Sequence, residues 1–276
     1  MSNAETKFSV LISVYDKDEP EHLDIALASI AAQTRKPDEV VIVEDGPLTK
    51  ELSSTVKQWQ QKQPGLFKVV SLPENCGLGV ALQEGLKACS YDIVARMDAD
   101  DISCPDRFEK QLKFLQENPD VAVVSSWMAC FEDNPDNIVF IRQMPQNYED
   151  ISRIARFHNP VFHAPAMLRC SEVEAVGGYT ERKGTEDYHL WARMLLNGSK
   201  ITCIREPLYK CRCNSNFVKR RASFQHMLSM IKLQNEFIKM GFISYPQYLF
   251  NISVRIAACI LPVTVTRFIR MRLLKL

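Results

Sequence analysis

The first 130 residues alternate between short apolar segments and segments with helical spacing, and this alternation constrains the fold more than any other feature. The apolar segments, rich in β-branched residues, are FSVLISVY, DEVVIVED, LFKVVSL, YDIVARM and VAVVSSW. The segments between them are EPEHLDIALASIAAQT, TKELSSTVKQWQQKQ, GLGVALQEGLKAC and PDRFEKQLKFLQEN. Strands that alternate with helices of this length are typical of βαβ units. We therefore expect an α/β fold with a mainly parallel sheet flanked by helices.

Carboxylates cluster where two of these predicted strands end. Glu44 and Asp45 end the second strand, and Asp98, Asp100 and Asp101 end the fourth. Ligands of open parallel sheets bind beyond the carboxyl ends of the strands, so both groups of acids should face one cleft. Residues two apart on extended backbone point the same way, which lets Asp98 and Asp100 converge. A pair of carboxylates with open positions for phosphate oxygens suits Mg²⁺ or Mn²⁺.

An ordinary turn is the alternative interpretation of these acids. In that case Asp101 or Ser103 caps the helix that begins near Pro105. We expect Ser103 to cap this helix, which leaves the paired Asp98 and Asp100 without a structural explanation.

Charge is distributed unevenly along the 276 residues. Residues 1–150 contain 14 Lys+Arg against 26 Asp+Glu, and residues 151–276 contain 20 against 7. This asymmetry suggests a cation site in the first half and an anionic partner for the second, although solvated faces of opposite sign are an alternative. No aromatic-basic module supports nucleic acid as that partner. The nine cysteines lack paired spacing, and MSNAETK contains no apolar stretch, so we expect reduced thiols and a cytosolic protein.

After about residue 130 the alternation loosens, but one helix with an acidic start stands out in the sequence GTEDYHLWARMLLNG. Thr185 can cap a helix that begins at Glu186, which puts Asp187 in its first turn, and Asn197-Gly198 end it. The rigid first turn of a helix can hold a general base within hydrogen-bond distance of the hydroxyl that it deprotonates. The alternative is that both acids only complement the helix dipole, an effect worth about 0.3–1 kcal/mol.

Several segments together resemble family 2 of the GT-A nucleotide-sugar glycosyltransferases, in its bacterial polysaccharide-assembly branch. The segments FSVLISVYDKDEPEHLDIALASIAAQT, DEVVIVEDGP, LPENCGLGVALQEGL, DIVARMDADDISCPDRFEKQLKFL, NPVFHAPAMLR and GTEDYHLWARML have the order and spacing of that family, across residues 7–215. The resemblance implies a GT-A fold, a divalent cation (Mn²⁺ or Mg²⁺) held by a DxD element, and single-displacement, inverting transfer. It also implies a nucleoside-diphosphate sugar donor, with a UDP-sugar expected, and a glycan or lipid-linked acceptor in surface polysaccharide assembly.

The resemblance also assigns a role to each residue that matches the family pattern. The residues implied to bind the nucleotide sugar are Ser13, Tyr15, Asp18, Asp45, Asn75, Gly77, Arg96 and Asp98. Asp100, with Asp98, would hold the cation, and Asp187 would be the general base. Glu186, His163 and Arg212 are candidates for contacts with acceptor or phosphate, as are Arg220 and Arg221. The chain departs from many family members by having Leu82 in place of a basic residue and no His near Cys213-Asn214.

Residues 216–276 form the second predicted unit, a helical and basic segment. Its apolar run is broken by Asn251, Arg255 and Pro262. An arginine at the centre of a spanning helix costs about 2.5–3.5 kcal/mol, so we expect no transmembrane span. An amphipathic segment on the inner face of the cell membrane fits better, and a helical pair packed on the catalytic domain is the alternative.

Three other functions are weighed against glycosyl transfer. A dinucleotide-dependent oxidoreductase would need a third glycine at position 82, where the chain has Leu82. A sugar-nucleotide-forming nucleotidyltransferase would need a basic, Gly-rich loop after the first strand, where SVYDKDEPEH is acidic. A non-catalytic domain that binds nucleotide or carbohydrate stays open as an interpretation of the residues.

Overall fold

The computed structural model describes residues 6–182, 184–213 and 224–260. Its first half follows the predicted alternation of strands and helices. The strands are β1 (Phe8–Val14), β2 (Glu39–Glu44), β3 (Phe67–Ser71), β4 (Ile93–Asp98), β5 (Ile102–Ser103) and β6 (Val121–Phe131). The helices are α1 (Pro20–Ala31), α2 (Lys50–Lys62), α3 (Leu78–Ala88) and α4 (Arg107–Glu117). Each predicted strand and helix of this part is therefore present.

The second half is built from four short elements and four longer ones. Its strands are β7 (Ile138–Arg142), β8 (Met167–Arg169) and β9 (Lys200–Arg212). Its helices are α5 (Tyr148–Ile154), α6 (Cys170–Glu174), α7 (Glu186–Leu196), α8 (Phe224–Lys239) and α9 (Tyr245–Ile260). Helix α7 begins and ends where its sequence pattern predicts.

Within the described residues, nine strands form one sheet in the order β3-β2-β1-β4-β8-β6-β9-β5, with β7 paired to β6. Strands β1 to β4 are parallel to one another. The short strand β8 runs antiparallel to both β4 and β6, so β6 points the same way as β4. Strand β9 is parallel to β6, and β5 pairs antiparallel with β9. This register brings the ends of β1, β2 and β4 and the end of β9 to one edge of the sheet.

Two predicted helix caps are wrong. Ser103 lies in β5, where its N–H donates to Ser29, and helix α4 begins after Asp106 instead. Thr185 does precede α7, but its side chain makes no capping hydrogen bond. Both residues are buried, so packing against neighbouring elements determines their conformation rather than the local capping preference.

The thiols of the described cysteines are free, as predicted. Cys130, Cys170, Cys203 and Cys211 are buried, and Cys76, Cys89, Cys104 and Cys213 are partly exposed.

Helices α8 and α9 form a hairpin that packs on α7 and on the segment after α5. The Tyr188 ring of α7 meets Phe237 of α8 edge-on, with ring centroids 4.9 Å apart. Asn251 of α9 is buried and donates to Gln234 of α8 and to the carbonyl of Arg156, at 2.8 Å in both cases. The core of the molecule therefore extends into this hairpin. Arg220, Arg221 and residues 261–276, which include the basic end of the predicted tail, lie outside the described residues.

Candidate active site

The acids at the end of β4 form one cluster. Carboxylate oxygens of Asp98, Asp100 and Asp101 lie within 4.8 Å of one another. Asp98 is partly exposed and pairs with the buried guanidinium of Arg96. Asp101 is buried, and its Oδ1 accepts the backbone N–H of Arg212 at 2.8 Å. Asp101 therefore ties the loop after β4 to β9, while Asp98 and Asp100 are partly exposed.

Asp18 adds a fourth carboxyl group to this region. The loop after β1 holds it, since the N–H of Tyr15 donates to its Oδ2 at 3.0 Å. Burial first, and then the negative charges of Asp100 and Asp98, raise the pKa of Asp18 to about 7. Burial and the charge of Asp98 raise the pKa of Asp100 to about 6. Acids crowded in this way gain stability from a bound cation, so these oxygen ligands fit a divalent ion such as Mg²⁺ or Mn²⁺.

Strand β9 supports the acid cluster from the other side. The backbone N–H of Asp98 donates to the hydroxyl of the buried Tyr209 at 3.0 Å. The Arg212 Nε donates to the carbonyl of Asp100 at 3.3 Å, and its guanidinium lies over the ring of Phe131. Arg212 therefore reaches the loop that carries the acid cluster, and its contact with phosphate stays a prediction.

The residues predicted to bind the nucleotide lie on the adjacent strand ends. Ser13 of β1 pairs in register with Asp98 of β4. Asp45 is buried, and its two oxygens accept the N–H groups of Cys76 and Gly77 at 2.7 and 3.0 Å. Asp45 thus fixes the loop that starts α3, and Asn75 in that loop is exposed.

Two glycines permit close approach between the loops of the site. Gly46 has a φ of 87°, and a Cβ on it would lie 2.6 Å from the backbone nitrogen of Asn75. A Cβ on Gly79 would lie 2.5 Å from the carbonyl oxygen of Thr180 and 3.3 Å from the Cβ of Glu186. A side chain at Gly46 would push the loop after β2 away from the loop before α3, and a side chain at Gly79 would push α3 away from the start of α7.

Arg96 connects the acid cluster with α7. It is 4% exposed, pairs with Asp98 and lies close enough to Glu186 to lower the pKa of that carboxyl. Burial is the largest influence on Glu186, followed by the charge of Asp187, and the net effect raises its pKa to about 7. Both Nε of Arg96 and Oε2 of Glu186 are buried without a hydrogen-bond partner among the described residues. Polar atoms of this kind are available to a ligand that enters between β4 and α7.

Asp187 lies in the first turn of α7 and is partly exposed. Its Oδ1 accepts the N–H of Tyr188 at 2.7 Å, and its Oδ2 accepts the side-chain amide of Asn159 at 2.6 Å. These two bonds hold the carboxylate of Asp187 in a defined orientation.

His163 has a different environment from the other predicted residues. It is buried against Tyr179 and Trp191, and its Nε2 lies 2.7 Å from the Tyr179 hydroxyl. Burial and the nearby Arg96 hold the pKa of His163 well below its usual value, so the ring is neutral. The described contacts of His163 are with these two aromatic side chains, and a contact with the acceptor stays a prediction.

Three residues of the site were not singled out from the sequence. Asn159 binds the candidate base, and Tyr209 supports Asp98. Arg107 is fully buried beneath β4, and its Nη2 donates to the carbonyl of Arg96 at 2.7 Å. Asn159 stands in the segment NPVFHAPAMLR and Arg107 in DIVARMDADDISCPDRFEKQLKFL, so membership of a family-like segment was the available signal for both, whereas Tyr209 had none.

Comparison with known proteins decides the family. The family model described as Glycosyl transferase family 2 matches residues 9–177. The chain belongs to glycosyltransferase family 2. This family 2 enzyme is 37% identical over 275 residues to the UDP-Gal:alpha-D-GlcNAc-diphosphoundecaprenol beta-1,3-galactosyltransferase of Escherichia coli, covering 100% of this chain and 99% of the relative. It is 35% identical over 265 residues to the amylovoran biosynthesis glycosyltransferase AmsE of Erwinia amylovora, covering 95% and 97% of the two chains.

Solved structures agree on the fold of the family 2 enzyme. Staphylococcus aureus TarS 1–349 in complex with UDP-GlcNAc superposes with a TM-score of 0.67 at 20% identity, covering 97% of this chain and 76% of that one. The mannosyltransferase PcManGT of Pyrobaculum calidifontis, in complex with GDP-Man and Mn²⁺, gives a TM-score of 0.65 at 18% identity, covering 98% and 80%. These matches confirm the predicted GT-A fold. The family and its relatives confirm glycosyl transfer in bacterial polysaccharide assembly and exclude the oxidoreductase and nucleotidyltransferase alternatives.

In the part of the chain that the structure describes, no helix combines the length and the apolar character that crossing a bilayer requires.

Proposed function

We propose that this family 2 enzyme is a metal-dependent, inverting glycosyltransferase that moves a sugar from a UDP-sugar to a hydroxyl of a lipid-linked or glycan acceptor. One observation carries the proposal: Arg96 connects the acid cluster at the end of β4 with the start of α7, where Asp187 lies. Arg96 pairs with Asp98, and its charge lowers the pKa of Glu186. The acid cluster could bind a diphosphate through a metal ion, and Asp187 could accept a proton. In our proposal the two lie on either side of the buried guanidinium of Arg96.

Most of the predicted site residues would bind the nucleotide-sugar donor. In our proposal Ser13, Tyr15 and Asp45 line the nucleotide pocket beside the loop that contains Asn75 and Gly77. The pairing of Ser13 with Asp98 and the bonds from Asp45 to that loop support this assignment. The unpartnered buried atoms of Arg96 and Glu186 are available for hydroxyls of the donor sugar.

Asp98 and Asp100 would hold the divalent cation, with Asp18 nearby. Arg212, at the end of β9, adds a positive charge beside the loop that carries Asp100. When bound, a cation such as Mn²⁺ or Mg²⁺ stabilises the negative charge that develops on the departing diphosphate. The Mn²⁺ in the PcManGT complex supports this assignment for the fold, and Asp101 contributes by securing the loop to β9.

Asp187 would act as the general base. Its carboxylate takes the proton from the acceptor hydroxyl, whose oxygen forms a bond to the anomeric carbon of the donor. The bond from that carbon to the diphosphate oxygen breaks, and its electron pair leaves with the nucleoside diphosphate. Attack from the face opposite the leaving group inverts the anomeric configuration. Asn159 and the N–H of Tyr188 hold the base in a fixed orientation for this step.

The acceptor class follows from the relatives rather than from a bound ligand. The Escherichia coli relative acts on a sugar linked to diphosphoundecaprenol, and it matches this chain along its full length. We propose an acceptor of the same class and a location on the inner face of the cell membrane. We also propose residues 7–215 as the catalytic domain and residues 216–276 as a basic C-terminal extension.

A panel of nucleotide sugars tests the proposal. Purified enzyme is incubated with UDP-galactose, UDP-GlcNAc, UDP-glucose or GDP-mannose, with Mn²⁺, Mg²⁺ or a chelator, and with or without a lipid-diphosphate sugar acceptor. We expect acceptor-dependent release of nucleoside diphosphate from one UDP-sugar, and its loss on chelation. Release from none of the donors, under any metal condition, would contradict glycosyl transfer by this site.

Two substitutions separate donor binding from transfer. Asp187→Asn should preserve metal-dependent donor binding in calorimetry and lower kcat by about 10²- to 10⁴-fold, because it removes the base. Asp100→Asn should instead abolish metal-dependent donor binding. Asp106→Asn is the matched control for Asp100, since it changes an exposed acid of the same segment that pairs with Lys110. A normal kcat for Asp187→Asn would disprove its role as base.

A further inference from the structure

Helix α9 presents an apolar stripe to solvent. Tyr245 is 73% exposed, Leu249 is 61% exposed and Ile256 is 42% exposed. Their spacing of four and seven residues puts them on one face of the helix, and the exposed Phe250 borders that face. We call these four residues the outer stripe. Large side chains grouped in this way mark a surface that contacts an apolar partner.

The opposite face of α9 is fastened to the segment that holds the candidate base. Asn251 donates to the carbonyl of Arg156 at 2.8 Å, and the Nη2 of Arg255 donates to the carbonyl of Phe157 at 3.2 Å. The Phe157 ring meets Phe250 of the outer stripe edge-on, with centroids 5.9 Å apart. Two residues further along the chain, Asn159 bonds to Asp187. The outer stripe therefore lies directly beside the acceptor side of the cleft.

The charge of this end of the chain identifies the partner. Glu236 is the last acidic residue in the sequence. Apart from Arg255, which faces the protein, the forty residues after it contain five basic ones: Lys239, Arg267, Arg270, Arg272 and Lys275. An apolar stripe within an acid-free, basic segment complements an anionic bilayer surface, which attracts both features. A protein partner offers no comparable reason for the complete absence of acids.

We propose that the outer stripe of α9 docks on an anionic phospholipid bilayer and thereby holds the acceptor side of the cleft at the membrane surface. The proposal rests on the lipid-linked acceptor proposed above. It adds the surface that meets the bilayer and explains why that surface lies beside Asp187. Docking in the interface requires no spanning helix, in keeping with the described helices.

Vesicle sedimentation tests the docking without donor or acceptor. The enzyme is mixed with vesicles of phosphatidylcholine containing phosphatidylglycerol, or of phosphatidylcholine alone, and the bound fraction is measured. We expect binding to the anionic vesicles that weakens with added salt. The double variant Leu249→Glu/Ile256→Glu should bind at least about tenfold more weakly, because two apolar anchors are replaced by charges that the surface repels.

Ile25→Glu is the matched control. Ile25 lies on α1 and is 42% exposed, the same fraction as Ile256. The control should bind vesicles less tightly than wild type by a factor of about two or less, since it alters net charge away from the stripe. Equal vesicle binding by wild type and the double variant would overturn the proposal. So would a dimer in sedimentation velocity that the double variant dissociates, because the stripe would then join two copies of this chain.

A comparison of two acceptors distinguishes this proposal from the proposed reaction. Transfer is measured to a polyprenyl-diphosphate sugar in anionic vesicles and to a short-chain, water-soluble analogue with the same sugar. We expect the double variant to retain wild-type transfer to the analogue and to lose at least about tenfold with the vesicle acceptor. If the wild-type enzyme transferred sugar to neither acceptor, the proposed reaction would be wrong and the docking proposal would be unaffected. If the double variant lost the same fraction of its activity with both acceptors, the docking proposal would be wrong.

Discussion

The candidate base shows how much of this site depends on single hydrogen bonds. Asp187 uses one oxygen for the N–H of its neighbour Tyr188 and the other for the amide of Asn159. The first bond follows from the helix start and is readable from the sequence. The second joins residues 28 positions apart, so it depends on how the segment before β8 packs on α7. Local patterns could identify Asp187 but not the residue that orients it.

Replacing Asn159 should therefore change the chemistry without changing donor binding. In Asn159→Ala we expect kcat to fall by about ten- to a hundredfold, because the base loses its fixed orientation, with the donor KM unchanged. The lost hydrogen bond also stabilised the carboxylate, so the pKa of Asp187 should rise and the acidic limb of the pH–kcat profile should move to higher pH.

Asn159→Asp provides a sharper form of the same test. A second negative charge beside Asp187 should move that limb further than the alanine variant does. Asn159→Gln, which keeps an amide donor, should restore part of the activity. An unchanged pH profile in the alanine and aspartate variants would reduce Asn159 to a structural role.

At the scale of elements, sequence patterns predicted the regular half of the sheet and the long helices. The apolar runs of β1, β2 and β4 are buried on both faces in a parallel sheet, so their composition alone indicates them. The three-residue strand β8 is too short to show a period, and its antiparallel insertion between β4 and β6 follows from tertiary packing. The caps at Ser103 and Thr185 failed for the same reason, since burial overrode the local preference.

Two glycines of helix α3 pack against different parts of the molecule. A Cβ on Gly79 meets the carbonyl of Thr180 next to α7, whereas a Cβ on Gly85 meets Leu11 and Val43 in the core. Both Gly79→Ala and Gly85→Ala should lower the free energy of unfolding by about 1–3 kcal/mol, measured by urea denaturation. Gly79→Ala should also lower kcat, because it moves α3 away from the start of α7. If both variants had the same kcat, the approach of α3 to α7 would have no role in the reaction.

At the scale of the whole molecule, the C-terminal hairpin is part of the packed structure. The sequence indicated a basic helical extension, with membrane contact and packing on the catalytic domain as alternatives. The described contacts give α8 and α9 a buried face, through Phe237 and Asn251, as well as the exposed outer stripe. Amphipathic spacing predicts that a helix has two faces, but it cannot say what each face meets.

Two truncations separate these roles of the hairpin. A chain that ends at residue 243 loses α9 and leaves Gln234 and the carbonyl of Arg156 without Asn251, so its Tm should fall, by about 2–4 °C for each kcal/mol lost. A chain that ends at residue 260 keeps both helices and should unfold at the wild-type temperature. Thermal unfolding followed by circular dichroism measures both, and an unchanged Tm for the shorter chain would mean that α9 adds nothing to the core.

The buried guanidinium of Arg96 has a consequence for evolution and engineering. Arg96 pairs with Asp98 and lowers the pKa of Glu186. A substitution near Asp98 should therefore alter the electrostatic environment of Glu186, and a substitution near Glu186 should alter that of Asp98. Swapping donor preference between relatives by grafting a few side chains should therefore give non-additive results, and new specificities should arise through compensating pairs of substitutions rather than through independent single steps.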